Sequence, residues 1–230
     1  AENWDAVIAI TGEEGQGKSV LAIRIIFDLL KRDLTKMSEE EFELTLQKHM
    51  MFSPFYSEFY EKFKNLQPGD PFCVDEAVNL VYKRSWYSKN QIELNRYFTK
   101  ARRERRCTIL ILPHFADFDS YFRNHRIKFW IHVVRRGKAV VFVRDDTAGL
   151  ADPWHLKLNT TLFNRVVSKR NIGDRIEEDY IRGYSRYVNF LFYFEYEDLP
   201  QNLFAVYDKL KEKITDIYTR KEIDDANGEM

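Results

Sequence analysis

The sequence predicts an α/β fold in which a mostly parallel sheet is flanked by helices and carries an antiparallel hairpin at one edge. Three observations lead there. A short apolar run, residues 6–11, passes through a glycine-rich loop into a stretch of helical periodicity. Two more apolar runs, 71–75 and 108–112, each follow a stretch of helical pattern, as strands joined by helical crossovers do. Runs 128–134 and 139–144 then flank Arg135-Arg136-Gly137-Lys138, a hairpin turn.

The elements follow in order. AVIAIT (6–11) is a strand ended by Gly12, and residues 18–31 form a helix with Val20, Leu21, Ile23, Ile26, Leu29 and Leu30 inward. Ser38 with Glu41 makes a capping box for a helix to about Lys48, and a second helix fits 56–66. The turn Gln67-Pro68-Gly69-Asp70 leads into a buried strand at 71–75. Residues 77–90 are aromatic and basic without periodicity. Residues 90–106 read as a helix with Ile92, Leu94, Tyr97, Phe98 and Ala101 inward, followed by the strand 108–112 and a short helix at 116–124. Beyond Asp145, helices fit 154–169, 175–187 and 203–220, the last with Phe204, Val206, Tyr207, Leu210 and Ile214 on one face, and NFLFYFEY (189–196) fits a strand or buried aromatic run. We expect one domain over residues 1–221, with its core at about 6–144, a helical and aromatic extension at 145–221 and a frayed acidic tail at 222–230.

Of the 230 residues, 44% are apolar and 31% charged, which excludes a disordered, collagenous or membrane-bundle chain and suffices for a core without disulfides or a structural metal. The formal net charge is zero, yet it is unevenly distributed. Residues 1–82 hold 8 Lys and Arg against 15 acids, 83–144 hold 16 against 4, and 145–230 hold 12 against 17. One basic segment of net +12 thus lies between acidic flanks of −7 and −5, which suits a polyanionic partner or contact between unlike surfaces of neighbouring subunits. Cys73 and Cys107 lie in apolar runs and read as core thiols of a reducing compartment. No leader pattern or span-length apolar stretch is present, so a cytoplasmic protein without membrane insertion is expected. A strand almost at Ala1 is expected where a chain has lost an N-terminal extension.

Gly12-Glu13-Glu14-Gly15-Gln16-Gly17-Lys18-Ser19 matches G-x-x-x-x-G-K-[ST], the Walker A phosphate loop, with the required strand before it and helix after it. Its backbone N–H groups and the helix start cradle phosphates, with Gly12, Gly15, Gln16, Gly17, Lys18, Ser19 and Val20 around the nucleotide. Lys18 reaches the β- and γ-phosphates, and Ser19 ligates Mg²⁺. The Walker B candidate is FCVDE: Asp75 at a strand tip anchors the magnesium shell beside Ser19, and Glu76 polarises the attacking water. Together these predict a P-loop NTPase of the ASCE, RecA-like layout, with an additional strand between the two motif strands. No N-K-x-D base-reading motif is present, so ATP is favoured over GTP. Lys100-Ala101-Arg102-Arg103-Glu104-Arg105-Arg106 carries more arginine than a helix end needs, and one of Arg102, Arg103, Arg105 and Arg106 is a candidate finger for a neighbour's γ-phosphate.

GEEGQGKS, FCVDEA, ARRERR, TILILPHF and FDSYFRNHRIKFWIHV, in this order, resemble the FtsK–HerA superfamily of DNA-pumping ATPases. Within it they look most like the compact viral genome-packaging ATPases and the zonular-occludens-toxin-type ATPases of phages and mobile elements. The resemblance covers roughly residues 6–144, with an echo in LPQNLFAVYDKLKEK, and only the two nucleotide motifs are specific to it. It implies an ATP-hydrolysing double-stranded DNA translocase working as a homo-oligomeric ring, hexamer or pentamer, with nucleotide sites shared between neighbours. It also implies a capsid portal or membrane component as a further partner, and host cytoplasm as the location if the chain is viral. Family members carry Gln or Asn after the arginine-linked strand to sense the γ-phosphate, whereas this chain has Pro113-His114, with His114 as the substitute donor. For DNA contact, Lys83, Arg84, Trp86 and Lys89 interleave cations with rings and come first. The turn residues Arg135, Arg136 and Lys138 come second. A toxin-type assembly or secretion ATPase and a mobile-element DNA-transfer ATPase are the alternatives; a P-loop kinase is less favoured, since it needs an acceptor site and a lid.

Overall fold

The structure, a computed structural model, describes residues 5–52, 56–75, 77, 97–100, 102–147, 151–167 and 176–228. Glu76, Lys83, Arg84, Trp86 and Lys89 lie outside the described residues. The chain runs β1 (Ala6–Thr11), α1 (Lys18–Leu29), α2 (Glu39–His49), β2 (Met50–Met51), α3 (Tyr56–Asn65), β3 (Phe72–Val74), β4 (Cys107–Ile111), α4 (Ser120–His125), β5 (Ile127–Arg135), β6 (Lys138–Val143), α5 (Leu156–Val167), α6 (Ile176–Tyr184), β7 (Phe190–Glu195) and α7 (Gln201–Gly228). Residues 97–100 and 102–103 are helical, the end of the helix expected before β4.

These strands form one sheet in the order β2-β3-β4-β1-β5-β6-β7. The first five are mutually parallel, and β6 and β7 are added antiparallel at one edge. This is the fold class the sequence predicts. β4 lies between β1 and β3, so the Walker B strand is separated from the phosphate-loop strand by one strand, as expected. Register places Ala6 opposite Cys107 and Ile10 opposite Ile111, so β1 and β4 end together on the side where the phosphate loop begins.

Successive strand residues feed opposite faces of the sheet, because side chains alternate along a strand. Ala9, Phe72, Val74, Leu110 and Leu112 pack on one face with α3 (Phe59, Phe63), Phe98, Phe115, Phe122, Trp130 and Trp154. Ile10, Cys73, Ile109 and Ile111 pack on the other with α1 (Val20 to Phe27), α2 (Phe42, Leu46) and α7 (Leu203, Tyr207, Leu210). Burial on both faces is why the central strands read as continuous apolar runs rather than alternating ones.

Local signals set several boundaries. The Ser38 hydroxyl accepts from the Glu41 N–H at 3.2 Å, with Glu39–Glu41 in the first turn of α2 and Lys48 in its last, matching the helix dipole at both ends. Cys73 and Cys107 are free thiols, and burial pushes that of Cys107 up to about 12 and that of Cys73 well above its usual range. Two features differ from expectation. β2 is a two-residue strand directly after α2, too short to carry any periodicity. α7 continues past Arg220 through acidic residues expected to fray.

Candidate nucleotide-binding site

β1 delivers its chain into the loop Gly12–Gly17, and α1 starts at Lys18. Gly17 is the N-cap of α1 in a left-handed conformation, φ 88°, so it supplies no capping side chain. The first turn holds no acidic residue either. The helix therefore begins with backbone N–H donors that no side-chain cap satisfies, which is the arrangement that attracts an anion. Gly17 is also crowded: a Cβ there would lie 3.2 Å from the Tyr196 hydroxyl and 3.4 Å from Arg136 Cγ. Gly12 has a different constraint, since a Cβ would meet the Val133 carbonyl oxygen of β5 at 2.7 Å. The loop is thus wedged between β5 and the chain after β7.

The side chains aimed into the loop are those the motif requires. Lys18 Nζ donates to the Gly12 and Glu13 carbonyls at 2.8 and 2.7 Å, so its ammonium sits inside the loop where phosphate oxygens would compete for it. Ser19 Oγ donates to both carboxylate oxygens of Asp75, each at 3.1 Å. Asp75 is only 2% exposed, and its own N–H donates to the Met51 carbonyl at 2.8 Å, so the two-residue strand β2 fixes its backbone. The cleft around them has a volume of about 720 Å³ and is lined by loop residues Glu14, Gly15, Gly17, Lys18, Ser19 and Val20, by Asp75 and Pro113, and by apolar and cationic groups from elsewhere.

A divalent cation fits this donor set. A deeply buried carboxylate and an adjoining hydroxyl are hard oxygen ligands, and a magnesium site normally takes one or two such groups and completes its shell with water and substrate phosphates.

The remaining expected residues separate. Arg106 is removed from the finger candidates. It is 3% exposed, donates to the Phe63 carbonyl and to the Leu66 carbonyl at 2.6 Å, pairs with Glu104 at 2.7 Å, and lies over the Phe63 ring at 4.4 Å. Its guanidinium ties α3 to the start of β4 inside its own subunit. Arg102, Arg103 and Arg105 are exposed near the start of β4, at the opposite end of the sheet from this chain's own phosphate loop. His114 is exposed just beyond the cleft-lining Pro113. Arg136 lines the nucleotide cleft: its N–H donates to Gln16 Oε1 at 3.2 Å, and its guanidinium bonds both oxygens of Asp198 at 2.6 and 3.0 Å and lies 5.3 Å from the Phe204 ring. The cause is topological, because β5 runs parallel to β1 and so brings the hairpin turn to the same edge. Lys138 pairs with Glu195 at 3.5 Å. Arg135 is exposed.

Two groups of site residues escape sequence reasoning. The first comes from α7: Phe204, Tyr207 and Lys211 all line the cleft, and Lys211 Nζ pairs with Asp75 at 3.2 Å. Burial, with the Asp75 charge adding, pushes the Tyr207 hydroxyl up to about 12. The signal was present as a lysine four residues after Tyr207, on the apolar face of the helix. The second is a network directly beneath the loop. Trp130 Nε1 donates to Thr11 Oγ1 at 2.7 Å, Thr11 Oγ1 meets His132 Nδ1 at 2.9 Å, and the Tyr184 hydroxyl meets His132 Nε2 at 2.9 Å. Burial, then the charges of His114 and Lys18, lower the His132 imidazole to about 4, so it is neutral at physiological pH.

No family model and no curated protein sequence matches the chain. Among solved structures it is similar to the genome packaging NTPase B204 from Sulfolobus turreted icosahedral virus 2 in complex with AMP, at 11% identity over 62% of this chain and 94% of that one, TM-score 0.42. It is similar also to B204, the DNA-packaging ATPase from Sulfolobus turreted icosahedral virus, at 13% identity over 62% and 94%, TM-score 0.42. A third likeness is the N-terminal domain of zonular occludens toxin from Neisseria meningitidis, at 15% identity over 76% and 98%, TM-score 0.39.

Proposed function

We propose that this chain is a magnesium-dependent ATPase that moves double-stranded DNA, of the genome-packaging kind, acting as a ring of identical subunits. The observation that carries the ATPase is the Ser19–Asp75 pair beside Lys18 at the uncapped start of α1: an anion site, a cation site and a loop-held ammonium within one cleft. DNA as the partner rests on the +12 segment at 83–144 and on the order of motifs resembling DNA-pumping ATPases. Shared sites rest on the exposed Arg102, Arg103 and Arg105, at the opposite end of the sheet from this chain's own phosphate loop.

In this reading the α1 N–H groups and Lys18 hold the phosphate chain and neutralise charge that develops on the γ-phosphoryl group. Ser19 and Asp75 would hold Mg²⁺, which would supply positive charge to the phosphate chain. Glu76, next to Asp75 in sequence, orients and deprotonates the attacking water, and His114 donates to the γ-phosphate. A neighbour's arginine completes the site. Phe204 and Tyr207 line the same cleft as the phosphate loop.

The test is ATP-dependent removal of a third strand from triplex-bearing double-stranded DNA. Displacement that requires hydrolysable ATP and disappears in Lys18→Ala and Glu76→Gln is expected. ATP hydrolysis without displacement on any DNA would leave an ATPase and reject the translocase.

A further inference from the structure

Asp75 presents an energetic problem that its Walker B role does not solve. A carboxylate 2% exposed pays a large desolvation cost unless it is paired. Asp75 accepts from Ser19, and Lys211 Nζ lies 3.2 Å from its Oδ2 as a cationic partner. The lysine belongs to α7, well over a hundred residues from Asp75 in sequence and from a part of the fold outside both nucleotide motifs. One helical turn earlier on the same face, Tyr207, only 6% exposed, lines the cleft together with Ser19. α7 thus engages Asp75 through an ammonium and places a ring in the cleft beside Ser19. Phe204, a further turn back, lines the same cleft, so one face of α7 (204, 207, 211) covers it.

We propose that Lys211 stands in for the divalent cation, and that a metal entering between Ser19 and Asp75 displaces its ammonium. The proposal deepens the nucleotide-site reading above and rests on it for the identity of the metal position. An ammonium and a divalent cation cannot share the same Asp75 oxygen, since like charges at that separation repel strongly. The metal must therefore compete with Lys211, and the competition links occupancy of the site to the position of the Lys211 side chain. The partly exposed lysine, 34% accessible, has room to swing toward solvent or toward phosphate as it leaves.

Competition makes a prediction that a purely structural ion pair does not. Mn²⁺, the probe, is titrated into the nucleotide-free full chain and followed by electron paramagnetic resonance. Lys211→Met is expected to bind Mn²⁺ on the order of tenfold more tightly than the parent, and Lys211→Arg about as weakly as the parent. Adding Asp75→Asn to Lys211→Met removes the gain. In melting curves Lys211→Met is less stable than the parent without metal and recovers the difference in saturating Mn²⁺; Lys211→Gln replaces it if it does not fold. Equal or weaker Mn²⁺ binding by the variants lacking the charge would overturn the proposal. A parallel titration with a non-hydrolysable ATP analogue separates the two readings: failure of the analogue to bind the parent rejects the nucleotide site, while the Mn²⁺ titration alone still decides whether Lys211 competes.

Discussion

Replacing Arg106 by alanine separates a structural arginine from a catalytic one within a single basic cluster. The side chain is buried, satisfies the Phe63 and Leu66 carbonyls and is paired with Glu104 at 2.7 Å. Removing it deprives both carbonyls of their guanidinium donor and leaves a carboxylate without its nearest cation. Breaking one partner of a buried pair costs ~3–5 kcal/mol. For a chain of this size each kcal/mol moves the midpoint by about 2–4 °C, so the melting temperature is expected to fall by about 6–20 °C. The assay is calorimetric or circular-dichroism melting of Arg106→Ala beside Arg102→Ala and Arg103→Ala, whose exposed side chains are expected to change stability by no more than about 0.5 kcal/mol. ATP turnover per folded Arg106→Ala subunit is expected to stay near the parent's. A melting temperature within a degree of the parent's, together with lost turnover, would refute the structural role and return Arg106 to the finger candidates.

His132 gives a pH dependence of known sign. Its folded pKa of about 4 lies below the ordinary 6.5, so the unfolded chain binds more protons between those values; the stability is complete above about pH 6.5 and is lost as pH falls toward 4. The loss is ~2–3 kcal/mol, read as a drop in urea midpoint from pH 7 to 4.5 that His132→Gln reduces. His49, which burial also shifts downward, acts in the same direction. Gly12→Ala places a methyl 2.7 Å from the Val133 carbonyl and is expected to cost ~1–3 kcal/mol and to weaken ATP binding, measurable by melting and by nucleotide titration. Of the exposed arginines, one among Arg102, Arg103 and Arg105 is expected to abolish turnover on substitution by alanine while leaving nucleotide affinity intact; full activity in all three would remove the shared site.

What the sequence made legible was what neighbours along the chain decide. The strand, glycine loop and helix at 6–29, the Ser38 cap and the Arg136-Gly137 hairpin each depend on a few consecutive residues, and each appears where expected. The layout of β4 between β1 and β3 followed from the two motifs. Long-range placement was less legible. Met50–Met51 becomes a strand only because Asp75 and β3 lie beside it. Lys211 joins the site only because α7 packs over α1 and β3, and the same packing hides its role among solvent-facing lysines in a helix of mixed charge. Arg106 misled for the opposite reason. Within a run of arginines it looked like its exposed neighbours, yet its position at the first step into β4 turns it inward under α3. Arg136 likewise reads as a free turn cation until the parallel course of β5 brings it against the phosphate loop.

The uneven charge beneath an overall net of zero connects these features to the proposed work of the chain. A motor must hold a polyanion without trapping it, and a localised basic segment between acidic flanks suits that demand better than a uniformly positive surface. The most direct measurement is the ATP hydrolysis rate with and without double-stranded DNA across a salt series. DNA is expected to raise the rate, with a stimulation that falls steeply as salt increases because phosphate contacts are screened. Hydrolysis that DNA leaves unchanged at every salt concentration would contradict the account.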